Sequence, residues 1–126
     1  MSERMQPVPG PPGRHAGKWV GAGAINDAGT AAATFSIDEQ GPNKGRVEGT
    51  HVLTSAKGTI TLEFQAWLRP FPAPTPPRQV MVEGTWKLVA ATGDYAGRQA
   101  RGRLYGTADR TVQPPEVTNL FDGTAD

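Results

Sequence analysis

The clearest pattern in this chain is an alternation of apolar and polar residues with a period of two. In residues 59–68, one parity holds Ile60, Leu62, Phe64, Ala66 and Leu68. Because successive side chains of a strand point to opposite faces, this pattern predicts a strand with one buried face. Similar runs at residues 18–25, 30–37, 46–55, 79–90, 101–108 and 117–121 predict further strands.

Two of these runs begin with the same four residues, Val-Glu-Gly-Thr, at positions 47–50 and 82–85. Each run continues into a glycine-marked turn and another strand, which indicates a duplicated β-hairpin. Hairpins that cannot bury an apolar face alone usually close into a barrel or a sandwich. With seven or eight strands, we predict an all-β fold, a single closed antiparallel β-barrel of about eight strands.

Two proline-rich segments flank or interrupt the predicted strands. Residues 1–14 contain four prolines, so we predict a flexible tail there and a barrel domain over residues 15–126. Residues 70–77 contain five prolines, which cannot donate hydrogen bonds to a sheet. We expect this segment to form a stiff flap over one mouth of the barrel, with Phe71 turned into the opening.

Composition narrows the range of partners. The 126 residues include 13 basic and 12 acidic ones, so no strong field favours nucleic acid or an anionic membrane as partner. Cysteine is absent, and no apolar run is long enough for a signal peptide or a membrane helix. The sequence therefore predicts a soluble, cytoplasmic protein.

The residues with the predicted inward parity are candidates for lining the lumen of the barrel. We expect the ligand-binding residues to be Trp19, Phe35, His51, Phe64, Trp86 and Leu88. His51 is the main titratable candidate for a catalytic or substrate-orienting role, and it occupies the position that Trp86 has in the second repeat. The alternative for His51 is a core histidine bonded to a backbone carbonyl, and the tryptophans could simply plug the barrel. With only two histidines, one of them (His15) in the tail, the sequence does not favour a metal site.

Residues 92–97, Thr-Gly-Asp-Tyr-Ala-Gly, resemble the Gly-Thr-Gly-x-Tyr-Ala-Gly hairpin of the allene oxide cyclase-like barrel superfamily. Residues 49–62 are also similar to the central hairpin of bacterial members, so the likeness covers roughly residues 46–106. The superfamily includes plant allene oxide cyclases, dirigent proteins and bacterial spiro-compound cyclases. The resemblance implies an eight-stranded barrel that forms dimers or trimers and folds a reactive hydrophobic substrate without a cofactor.

The sequence thus predicts a cofactor-free cyclase or isomerase that binds a hydrophobic small-molecule intermediate. A second resemblance keeps another function open, since Gly17-Lys18-Trp19 is similar to the Gly-x-Trp opening of lipocalins and avidins. The alternatives are therefore a non-catalytic carrier of a lipophilic ligand and a plugged structural barrel.

Overall fold

The protein is a closed antiparallel β-barrel of eight strands, which confirms the predicted fold class. The computed structural model describes residues 1–9, 12–22, 25–41, 44–70, 79–109 and 116–125. Each strand pairs with its neighbours in sequence, and the last strand returns to the first. The strands are β1 (Ser2–Pro7), β2 (Arg14–Gly21), β3 (Asp27–Gly41), β4 (Lys44–Ser55), β5 (Gly58–Pro70), β6 (Gln79–Ala91), β7 (Ala100–Asp109) and β8 (Glu116–Ala125).

The only helical element in the described ranges is a short 3-10 turn, Gly93–Tyr95, between β6 and β7. Within those ranges, no helix is long and apolar enough to cross a membrane.

Strand β1 lies in the range 1–14, for which a flexible tail was predicted; residues 10 and 11 of that range lie outside the described residues. Residues 2–7 pair with β2, and residues 2–5 also pair with β8, so β1 closes the barrel. Glu3 and Met5 point inward and are buried, while Arg4 and Gln6 are exposed. The prediction was wrong for two reasons. The inward position 3 carries a carboxylate, so the strand shows no apolar alternation. The prolines that suggested a tail begin only at Pro7, the last residue of the strand.

The repeated Val-Glu-Gly-Thr segments lie in β4 and β6, and in both the valine is buried and the glutamate exposed. Their glycines allow close backbone approach. A Cβ on Gly49 would lie 2.1 Å from the carbonyl oxygen of Thr34, and one on Gly84 would lie 1.9 Å from that of Gln65. The stripe of Trp19, His51 and Trp86 faces the interior as predicted, with exposures of 2%, 3% and 5%.

The barrel interior is packed at one end and hollow at the other. We call the end with the β2–β3, β4–β5 and β6–β7 connections the closed end, and the other the open end. Residues filling the closed end include Trp19, Leu53, Ile60, Trp86, Tyr95 and Phe121. Indole nitrogens of the two tryptophans donate to backbone carbonyls, Trp19 to Thr54 at 3.2 Å and Trp86 to Arg103 at 3.0 Å.

Candidate functional site

A cavity of about 280 Å³ occupies the open half of the barrel. Its apolar wall includes Phe35, Val47, Phe64, Val82, Leu104 and Val117. The polar side chains that line it are His15, His51 and Asn119. Such a cavity suits a small molecule that is mainly apolar and carries few polar groups. Residues 71–78, where the flap and Phe71 were predicted, lie outside the described residues.

The cavity ends at a buried polar cluster made by Glu3, His51 and Asn119. His51 Nδ1 lies 2.7 Å from Glu3 Oε1, and Asn119 Nδ2 donates to the same oxygen at 2.8 Å. The side chains of His51 and Glu3 are 4% and 0% exposed. We call this group the Glu3–His51–Asn119 cluster.

Three strands bring the cluster together. Glu3 on β1 is the direct cross-strand partner of Asn119 on β8, whereas His51 reaches them from β4. The imidazole is held edge-on by two aromatic rings, with centroid distances of 4.7 Å to Phe64 and 5.1 Å to Phe121. These contacts leave His51 little rotational freedom, so its position relative to Glu3 is set by packing.

A glycine makes room for the Asn119 amide. A Cβ added to Gly106, the cross-strand partner of Asn119 on β7, would lie 2.2 Å from Asn119 Oδ1. The small residue at position 106 therefore lets the amide lie against the β7 backbone, with its nitrogen bonded to Glu3.

Hydrogen bonding within the cluster is incomplete. Glu3 Oε2 and Asn119 Oδ1 are buried and make no hydrogen bond in the described structure. The 2.7 Å contact of His51 Nδ1 is an ion-pair distance, but its geometry is not that of a directed hydrogen bond. A buried carboxylate is costly without a counter-charge, and the protonated imidazole is the nearest group able to supply one.

His15 forms part of the cavity wall near the open end. It lies in β2, is half-buried, and its ring centroid is 4.8 Å from that of Phe35. Burial lowers its pKa below the usual value, and the positive charge of His51 lowers it further, while Glu3 acts in the opposite direction. The range predicted as a tail thus contains one functional candidate, Glu3, and a second candidate, His15, directly follows it.

The predicted ligand-binding residues separate into two groups. Phe35, His51 and Phe64 line the cavity. Trp19, Trp86 and Leu88 do not line it: the two tryptophans are buried in the core, and Leu88 packs against that core. Their placement matches the plug interpretation.

The sequence pattern did not predict Glu3, His15 or Asn119 as site residues. A usable signal for Glu3 was its shared parity with Met5, and for Asn119 its shared parity with Val117 and Phe121. Among the residues that the structure describes, no group of three or more histidine, aspartate or glutamate side chains is arranged to hold a metal ion.

Comparison of the chain with protein-family models, curated proteins and solved structures finds no match. The resemblance to allene oxide cyclase-like barrels therefore stays a prediction.

Proposed function

We propose that this barrel is a cofactor-free isomerase or cyclase that binds an apolar small molecule carrying a carbonyl or similar oxygen. The observation that supports the proposal is the buried contact between His51 and Glu3 at the inner end of an apolar cavity. The hydrocarbon part of the substrate occupies the cavity, and its oxygen meets the imidazole.

His51 has the role of hydrogen-bond donor. With Nδ1 against the carboxylate, the ring nitrogen left for a ligand is Nε2. A protonated imidazole polarises a carbonyl group, and it does so more strongly in a dry apolar cavity than in water. Glu3 does not touch the substrate in this scheme; it is a positioning residue that orients His51 and stabilises its charge.

The apolar wall supplies the rest of the catalysis. A flexible substrate confined between Phe35, Phe64 and the aliphatic residues loses conformational freedom before it reacts, and water is excluded from the reacting atoms. This mode of action agrees with what the resemblance to cyclase-like barrels implies.

Ligand entry is tested with two variants on one strand. Ala108 lines the cavity and the adjacent Thr107 is exposed on the outer wall, so Ala108→Phe fills the lumen while Thr107→Phe adds the same ring outside. We expect quenching of tryptophan fluorescence by a panel of polyenes, fatty acids and polyketides in the wild type and in Thr107→Phe. Ala108→Phe should weaken binding about tenfold or more, since its ring takes space from the ligand. Equal affinity in the two variants would show that the ligand does not enter the lumen.

Turnover is tested on the molecule that binds. Native mass spectrometry of freshly purified protein identifies a copurified ligand, and its mass and structure are compared before and after incubation. We expect conversion to an isomer by the wild type and loss of conversion in His51→Ala. A ligand recovered unchanged identifies a carrier, and full turnover by His51→Ala contradicts the role given to His51.

A further inference from the structure

The two histidines lie on either side of a single alanine. His15 on β2 is the direct cross-strand partner of Ala33 on β3, and Ala33 is in turn the partner of His51 on β4. Neighbouring strands are about 4.8 Å apart, so the two histidine backbones are separated by roughly 10 Å. Because all three residues face the interior of a closed barrel, the two side chains converge towards the lumen.

The gap between the two rings is kept open by the small residue between them. Ala33 is 4% exposed and lines the cavity together with both histidines. Each ring has an aromatic neighbour, Phe35 for His15 and Phe64 for His51. A flat substrate group can therefore enter above Ala33 and meet one imidazole on each side.

We propose that His15 is the base of the reaction proposed above, and that the substrate belongs to the class of apolar molecules with an enolisable carbonyl group. This inference rests on the proposed function, because it takes His51 as the group that binds the carbonyl oxygen. His15 and His51 then act on two different atoms of the same substrate.

The reaction is a proton transfer that returns the protein to its starting state. The neutral imidazole of His15 removes a proton from the carbon next to the carbonyl, and the electron pair of that C–H bond forms the carbon–carbon double bond of an enolate. The negative charge develops on the oxygen, where His51 donates a hydrogen bond. The protonated His15 then gives the proton to a different carbon of the conjugated system, which yields an isomer.

The charges around His15 suit a base. Burial and the positive charge of His51 lower the pKa of His15, so its ring is neutral near pH 7. The charged groups that face it are His51 from β4 and Glu3 from β1, whereas β3 contributes Ala33 and Phe35, which carry no charge. A proton-accepting group and a proton-donating group thus face the same space.

The test uses cyclohex-3-en-1-one, whose conversion to the conjugated enone requires this proton transfer and is followed by ultraviolet absorbance. We expect the wild type to exceed free imidazole at equal concentration. His15→Gln should lower the rate about a hundredfold, within the range of general-base catalysis, and remove the rise of rate with pH that follows deprotonation of His15. Arg14→Gln, on the outer face of the same strand, is the matched control and should keep the wild-type rate.

The outcomes separate the two proposals. If His51→Gln abolishes the reaction and His15→Gln leaves it unchanged, the proposed function stands and the role of His15 is wrong. If neither variant changes an accelerated rate, both fail. If the wild type does not accelerate the probe at all, the assignment to enolisable carbonyl compounds is overturned. The proposed function is then still tested by the ligand-binding and turnover experiments described above.

A second measurement needs no substrate. The chain has two histidines, so a proton NMR titration resolves both rings. We expect His15 to titrate below the ordinary value of about 6.5 and to move upward in His51→Gln. The comparison is made on folded His51→Gln, and a His15 titration that does not respond to the substitution would place the rings too far apart to share a substrate and would overturn the inference.

Discussion

Glu3 is the residue whose position is hardest to explain by stability alone. Its side chain is fully buried, one carboxylate oxygen has no hydrogen bond, and the wall of the neighbouring cavity is largely apolar. Buried ion pairs are often replaced by apolar residues without loss of stability, because desolvation of the two charges offsets their attraction. The position of Glu3 beside His51 is therefore better explained by the site than by the fold.

The two members of this pair should respond differently to removal. His51→Leu leaves Glu3 buried without a counter-charge, so we expect a loss of about 3–5 kcal/mol near neutral pH, measured by urea unfolding. Glu3→Gln should cost less, because it replaces the buried carboxylate by a neutral amide of nearly the same shape.

The control is the double variant Glu3→Gln/His51→Leu, which should recover much of the stability lost in His51→Leu. Equal losses in the two single variants that add in the double variant would mean that the pair is not coupled.

For single residues, sequence parity predicted that His51 faces the interior but did not identify its partners Glu3 and Asn119. His51 lies in a long run between Val47 and Leu53, which have the same parity, so its inward direction could be predicted. Glu3 and Asn119 are polar residues at inward positions of β1 and β8, and a polar residue in a strand pattern is normally assigned to the exposed face. Their burial depends on contacts across the barrel, which a local pattern does not contain.

The connection between β6 and β7 covers the closed end of the barrel. Its backbone is fixed to the β4–β5 turn, with Asp94 N donating to the carbonyl of Lys57 at 2.8 Å. Gly93 has a φ of +62°, a left-handed conformation that favours glycine. From this connection the buried Tyr95 donates from its hydroxyl to Asp27 Oδ2 at the start of β3. One short segment thus joins three parts of the closed end.

This link predicts a pH dependence of stability. Hydrogen bonds from Ser55, Tyr95 and the Ala28 amide lower the pKa of Asp27. Its contribution is therefore present above the unfolded pKa of about 3.9 and is lost as the pH falls through the lower folded value. We expect the melting temperature of the wild type to exceed that of Asp27→Asn near neutral pH, and the difference to shrink in strong acid.

Tyr95→Phe provides the companion variant, because it removes one of the donors to Asp27 and keeps the ring. In that background Asp27→Asn should have a smaller effect. A wild-type advantage over Asp27→Asn that persists unchanged in strong acid would rule out Asp27 ionisation as its source.

At the level of elements, the alternation predicted where most strands lie but not how far they extend. β3 runs to Gly41, whereas the pattern supported it only to residue 37. Residues 38–41 are exposed, so hydrophobic alternation is absent there, yet most of them still pair with β4. Backbone hydrogen bonding can continue where the side chains of both faces are exposed to solvent. A pattern of apolar and polar residues does not predict this part of a strand.

For the whole molecule, closure and site formation depend on the same strand. β1 is the only strand that joins β2 to β8 in the described barrel, and it also carries Glu3. Without β1 the sheet would have two unpaired edges, which are sites for association with other chains. The cavity would also lose the carboxylate that contacts His51.

Gly17→Ala tests this coupling, because Gly17 on β2 is the direct cross-strand partner of Met5 on β1. A Cβ at this position would lie 1.9 Å from the carbonyl oxygen of Arg4 and 2.9 Å from Met5 Cα, so β1 must shift away. We expect a stability loss of about 1–3 kcal/mol, typical of overpacking, together with faster hydrogen exchange of the β1 amides and weaker ligand binding. Ala16→Val, which enlarges the exposed neighbour on the same strand, should change none of these. If Gly17→Ala speeds exchange in β1 while ligand affinity and turnover both stay at the wild-type level, the site does not depend on the position of β1, and the positioning role proposed for Glu3 fails with it.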